Sequence, residues 1–170
     1  MAPLDHLPGR PRRAALRLLM ATVGRLVRID GERLRRLPEP AILALNHCTS
    51  LEAVAVPAAL TYHRHGRLVH FVTDWMFVHL PVVGWLVRLN EPVPVFTKRA
   101  RFGLREDFRR RNLAPPVDRC AELLAAGGSV GIYPEGTRNP DPRRLLRGRS
   151  GLGTIVLSSG TPVLPLWVRF

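Results

Sequence analysis

The sequence predicts an α/β domain: a mixed, largely parallel sheet flanked by helices, with an amphipathic helix at the N terminus. Three observations carry this prediction. Short apolar runs of strand length alternate with segments of helical period, the order expected of βα units. The run AILALNH is continuously apolar before it turns polar, as in a strand buried inside a sheet. The 170 residues make one ordinary domain, and 46% hydrophobic with 23% charged residues excludes wholesale disorder and a fibrous repeat.

The elements follow in order. Residues 1–11 hold three prolines and a glycine and read as a loose lead-in. From Arg12 to Ile29 apolar residues recur at helical spacing (Ala15, Leu18, Leu19, Val23, Leu26, Val27) with arginines over much of the rest. Such a helix either packs on its own domain or lies at an anionic membrane interface. Residues 41–47 read as a strand delivering Asn46 and His47 to a loop. Thr49 and Ser50 are good N-caps for a helix that Pro57 should kink or shorten. RLVHFVT, 67–73, reads as a second strand, and 75–89 as a packed helix pair or an interfacial apolar element broken by Pro81 and Gly84. EPVPVFT, 91–97, reads as an edge strand because of its prolines. An arginine-rich run follows from Lys98. The rest reads as a helix opened by prolines and closed by glycine, the strand SVGIY running into a glycine turn, a helix over 149–160 and a final strand over 161–170.

Lysine plus arginine is 26 against 13 acids, a net charge of +13, and all but Lys98 of the basic residues are arginine. A chain this basic should meet phosphate on a nucleic acid, an anionic lipid surface or a soluble anion. Cys48 and Cys120 make no disulfide framework and no zinc pattern, and read as small thiols in a reducing compartment. No run is long enough to span a bilayer, and the N-terminal apolar stretch, broken by Arg17, does not read as a cleavable signal.

Two constellations can carry chemistry. In Asn46-His47-Cys48-Thr49-Ser50-Leu51-Glu52, a carboxylate on a first helical turn can fold back onto the imidazole, fix its tautomer and leave the other ring nitrogen to take a proton from an alcohol. Equally, Glu52 can serve as a helix-start carboxylate bonded to backbone N–H groups. Pro134-Glu135-Gly136-Thr137-Arg138 follows an apolar strand, and its hydroxyl and guanidinium groups at a glycine turn suit capture of a phosphate; the alternative is a plain turn with a surface arginine.

Taken in this order and spacing, the two resemble the glycerolipid acyltransferase family of the 1-acylglycerol-3-phosphate acyltransferase type, over roughly residues 40–170. NHCTSLE stands in the place of the family's N-H-x-x-x-x-D block, and YPEGTR, 133–138, matches its F/Y-P-E-G-T-R block in full. VVGWLVRL with PVFTKR is similar to the second block and nominates Arg99, with Lys98 competing. Arg149-Ser150-Gly151 and GTPVLPLWV, with Pro165, resemble the last block.

The resemblance implies a basic helix and linker over 1–38 and an acyltransferase domain over 39–170 that is short at its C terminus. It implies that His47 is the general base and Glu52 its partner, and that no acyl-enzyme forms. It also implies that Arg99, Glu135, Gly136, Thr137, Arg138, Arg149 and Pro165 hold substrate. The acyl donor would be acyl-CoA or acyl-carrier-protein, and the acceptor a lysophospholipid or glycerol phosphate. No cofactor or metal is called for, and peripheral association with an anionic membrane on its cytoplasmic face is expected. Glu52 departs from the family's aspartate, so a catalytically weak lipid-binding member of the same fold is a competing expectation. A nucleic-acid-binding module competes only on the arginine excess, and no nucleic-acid motif is present.

Overall fold

The computed structural model of the chain describes residues 3–26, 29–96, 115–139, 141 and 143–168. Lys98, Arg99 and the arginine-rich run beyond them lie outside the described residues.

Five strands form one sheet in the order β3-β2-β4-β1-β5, where β1 is Ile42–Leu45, β2 Val69–Asp74, β3 Val93–Val95, β4 Ser129–Ile132 and β5 Val163–Leu166. Every described strand pair is parallel, in line with the largely parallel sheet expected of the sequence. Parallel pairing requires a crossover between strands, and the helices supply it. The edge position of β3 agrees with its proline, Pro94, which has no N–H to donate to a neighbouring strand.

Alternate residues of β1 feed two cores. Ile42, with Val130 and Ile132 of β4, packs beneath α6 (Pro116–Ala125) and α7 (Ser150–Ser159) through Cys120, Leu124 and Ile155. Leu43 and Leu45, with Val69 and Phe71 of β2, pack beneath α3 (Glu52–His63) through Leu60. A Cβ on Gly131 of β4 would lie 2.5 Å from the Phe71 ring, so glycine at this central position lets that ring cross the sheet surface. The chain leaves β1 through α3 toward β2 on one side, and leaves β4 through α7 toward β5 on the other. The boundary between β1 and β4 is therefore a topological switch point, and the region beyond the carboxyl ends of these two strands is where open α/β sheets place a ligand crevice.

Several local expectations are corrected. The lead-in is not loose over its described part: Leu4 and Leu7 are fully buried, and His6 N–H donates to the His65 carbonyl at 3.2 Å. Those leucines select the face of α1 (Arg10–Leu26) that turns inward. Leu16 and Met20 pack with them on Ala58 and Ala59 of α3, while Leu18 points out, 73% exposed. The helix thus takes the packed reading, on a stripe that the arginines on either side of Leu16 obscured. Pro57 does not shorten α3, which runs twelve residues through it with the ring buried. Pro81 opens α5 (Pro81–Arg88) after the short α4 (Trp75–Val78), and Gly84 lies within α5 rather than breaking it. A short helix, α2 (Gly31–Arg35), capped by Asp30 accepting from Arg33 N–H, has no counterpart in the sequence reading.

Candidate active site

The site is built where β1 and β4 end. Asn46 continues the parallel pairing of β1 with β5 by side chain: its Nδ2 donates to the Val168 carbonyl at 2.9 Å, and its Oδ1 accepts the Val168 N–H at 2.7 Å. The next residue, His47, is thereby launched off a fixed strand end.

His47 Nδ1 lies 2.8 Å from Glu52 Oε2, and the Glu52 side chain is only 1% exposed. The same carboxylate accepts the backbone N–H of Cys48 at 2.9 Å and of Thr49 at 2.9 Å. The two readings of Glu52 are therefore both present: it closes the helix start and holds the imidazole. A carboxylate only accepts, so Nδ1 carries the proton and Nε2 is left with a lone pair. Thr49 and Ser50 do not cap α3 as expected. Leu51 occupies the cap position with no side-chain bond, and the Glu52 carboxylate accepts instead from Cys48 and Thr49 in the loop just before the helix.

Tyr133 covers one face of the imidazole, with ring centroids 4.4 Å apart and 25° between planes. Its hydroxyl donates to the Glu52 carbonyl at 3.3 Å. Burial, and then the nearby Glu52 carboxylate, push the Tyr133 phenol well above its ordinary range, so it stays neutral.

The glycine turn after β4 stands against this pair. Asn139 N–H donates to the His47 carbonyl at 2.7 Å, and Arg138 Nη1 donates to Ser50 Oγ at 2.7 Å. Gly136 has φ +61°, and a Cβ there would also strike the Arg149 side chain at 2.6 Å. Glycine thus permits both the left-handed turn and the close passage of a guanidinium. Arg149 N–H donates to the Pro134 carbonyl at 2.8 Å, which fixes the start of α7 beside the turn. Gly136, Thr137, Arg138 and Arg149 are exposed, and the two arginines bring cationic donors to the crevice.

Glu135 is different. It is buried, Oε1 accepts the Leu146 N–H at 3.1 Å, and Oε2 has no hydrogen-bond partner among the described residues. Pro165, opposite Ala44 on β5, lies in the wall of an apolar cleft of about 410 Å³ with Leu45, Val56, Leu60 and Trp167. Arg99 lies outside the described residues. No cluster of metal-ligating side chains occurs among the described residues.

Sequence reasoning missed Asn46 as a clamp on Val168 and Asn139 as the tie between the turn and His47. The second had a local signal, since Asn139 Oδ1 accepts the Asp141 N–H at 3.1 Å in an Asx turn. The first had none, its partner being 122 residues away.

Comparisons with known proteins show the family and the fold. The family model described as Acyltransferase matches residues 26–169. The chain is 29% identical over 142 residues to the chloroplastic 1-acyl-sn-glycerol-3-phosphate acyltransferase LPAT1 of Arabidopsis thaliana, covering 82% of this chain and 35% of that protein. It is 28% identical to lysophosphatidylcholine acyltransferase 2B of Rattus norvegicus, over 91% of this chain and 26% of that one. The chain therefore spans about a third or less of the length of these relatives. The fold is similar to the crystal structure of the 1-acyl-sn-glycerophosphate acyltransferase PlsC of Thermotoga maritima, with a TM-score of 0.57 at 20% identity, covering 91% of this chain and 57% of that one.

Proposed function

Because the chain belongs to the Acyltransferase family, we propose that it moves a fatty acyl group from the thioester of acyl-CoA or acyl-carrier-protein to the hydroxyl of a glycerophospholipid acceptor, 1-acylglycerol-3-phosphate first among them. The observation that carries this reading is the 2.8 Å contact of His47 with a buried Glu52, beside the Gly136 turn and its arginines.

His47 Nε2 takes the hydroxyl proton as the acceptor oxygen attacks the thioester carbonyl. Glu52 holds the ring and stabilises the imidazolium. The tetrahedral oxyanion collapses, the carbon–sulfur bond breaks, and the leaving thiolate takes the proton back from His47. Arg138 and Arg149 hold the acceptor phosphate, with Gly136 and Thr137 shaping the cradle, Glu135 fixing it from beneath and Arg99 as a further cation. The acyl chain lies in the apolar cleft walled by Pro165, whose lining supports this assignment. A net charge of +13 supports work at an anionic membrane, peripherally and on its cytoplasmic face. No helix of the described residues is long and apolar enough to cross one.

The test is acyl transfer by purified protein, with acyl-CoA and acyl-carrier-protein each offered against a panel of phosphorylated and unphosphorylated acceptors. His47→Ala should lower kcat/KM by about 10²–10⁴-fold. Arg138→Ala should mainly raise KM for phosphorylated acceptors. Near-normal turnover by His47→Ala overturns the reading.

A further inference from the structure

The apolar stripe of α1 is spent inside the molecule, with Leu16 and Met20 buried on α3. Among the described residues α1 exposes one large apolar side chain, Leu18, whereas six of the ten exposed large apolar side chains follow strand ends. Leu51 follows β1, Phe77 and Leu80 follow β2, Leu145 and Leu146 lie in the connection after β4, and Trp167 follows β5. All six are exposed, Leu51 by 72% and Leu145 by 66%. In an all-parallel sheet the strands end on the same edge, so these six residues belong to one rim, the rim that also bears His47 and Gly136.

The rim is charged in a matching way. Exposed Arg138, Arg143, Arg144, Arg147 and Arg149 bracket the leucine pair, against a single acid, Asp141, in the same stretch. Asp141 is itself turned to the backbone, its Oδ1 accepting the Arg143 N–H at 3.0 Å. Isolated exposed leucines need no explanation, but leucines set between arginines at the mouth of a crevice do. Apolar side chains flanked by guanidinium groups fit a bilayer interface, the former entering the acyl boundary and the latter meeting anionic headgroups.

We propose that this carboxyl-edge rim, and not the N-terminal helix, is the surface that docks on an anionic lipid bilayer, laying the crevice directly on the membrane. The proposal deepens the functional reading above, since it presumes an acceptor drawn from lipid. It assigns the exposed arginines after the glycine turn a second partner, the membrane's own phosphates.

The experiment is co-sedimentation of the full chain with vesicles of phosphatidylcholine, alone or with about one third phosphatidylglycerol. Four variants accompany the wild type: Leu145→Ser with Leu146→Ser, Arg143→Gln with Arg147→Gln, Leu18→Ser on α1, and Leu157→Ser, whose exposed side chain lies along α7 away from the rim. Wild type should bind the anionic vesicles and leave the neutral ones. The arginine pair should weaken binding about thirtyfold, at about fivefold per charge, and the leucine pair by tenfold or more as an estimate from buried methylene groups. Leu18→Ser and Leu157→Ser should bind as wild type. Loss confined to Leu18→Ser, loss equal in Leu157→Ser, or a leucine pair without effect overturns the proposal, the last by leaving a purely electrostatic anion surface. Circular dichroism of each variant separates loss of docking from loss of fold. Acyl transfer to a short-chain, water-soluble acceptor without vesicles reads the chemistry separately: turnover there with no vesicle binding sinks the docking surface alone, and binding without turnover sinks the functional reading alone.

Discussion

Glu52 reaches His47 because it sits at the first position of α3, where its chain can turn back over Cys48 and Thr49. It is one methylene longer than the aspartate of the family's first block, and the structure uses that length. The carboxylate meets Nδ1 at 2.8 Å while still accepting two backbone N–H groups at 2.9 Å. Shortening the side chain by one methylene withdraws the oxygens by about 1.5 Å, so Glu52→Asp must give up either the ring or the helix start unless the backbone moves. Steady-state acyl transfer should therefore find Glu52→Asp no faster than wild type. A faster Glu52→Asp would mean that the native glutamate impairs the site. Glu52→Gln keeps the length but must serve two N–H groups and Nδ1–H with one acceptor oxygen, so it turns a donor toward a donor. Loss of the tautomer should lower kcat/KM by about 10²-fold or more, with KM for the acceptor little changed. A matched rise in KM would instead assign Glu52 to substrate binding.

At the scale of elements, the strand end after β1 depends on Asn46. Its amide pairs with both backbone groups of Val168 and is itself buried, so Asn46→Ala leaves an N–H and a carbonyl without their partners. Leaving a buried polar group unsatisfied costs about 1–3 kcal/mol, and the expected loss on urea unfolding is in that range with the m-value unchanged. Asn46→Asp can accept from Val168 N–H but cannot donate to its carbonyl, and should fall between. An Asn46→Ala protein as stable as wild type would show that the β5 end is held by other contacts. Such long-range pairs mark the boundary of what was legible. The strands, α3, the glycine turn and the His47–Glu52 pair could be read from apolar runs and spacing, because their causes lie within a few residues. The inward face of α1 could not, since Leu16 and Leu18 are equally apolar and the partners that decide between them, Leu4 and Leu7 with Ala58 and Ala59 of α3, lie outside the helix. Pro57 misled for the same reason: propensity argued for a break, and burial in the α3 core overrode it.

Over the whole molecule, the sheet order brings His47 and Gly136 together from segments some ninety residues apart in sequence. That adjacency follows from β1 lying beside β4, which no local pattern specifies. The same global view governs stability against pH. The chain carries +13 with histidine neutral, so protonating its six histidines adds repulsion in the compact state. His63 contributes separately. Its ring packs against Gly31, its Nδ1 has no hydrogen-bond partner among the described residues, and burial, then the charge of Arg35, holds its pKa below the ordinary histidine value. The unfolded chain takes up this proton near pH 6.5, as a free histidine does, whereas the folded chain takes it up only at lower pH. Between those points the unfolded state binds more protons, so stability is full above about pH 6.5 and falls as pH drops through the window below it. His63→Gln removes this contribution and leaves the other histidines in place. Urea unfolding at about pH 7.5 and about pH 5.5 should show a smaller loss of stability on acidification for His63→Gln than for wild type. Salt separates the two causes: about 0.5 M salt should screen the general repulsion and raise acid stability in both proteins, while the difference between them, which arises mainly from burial, should persist. Equal acid losses in the two proteins would show that His63 titrates alike in the folded and unfolded chain, and would leave the net charge as the cause.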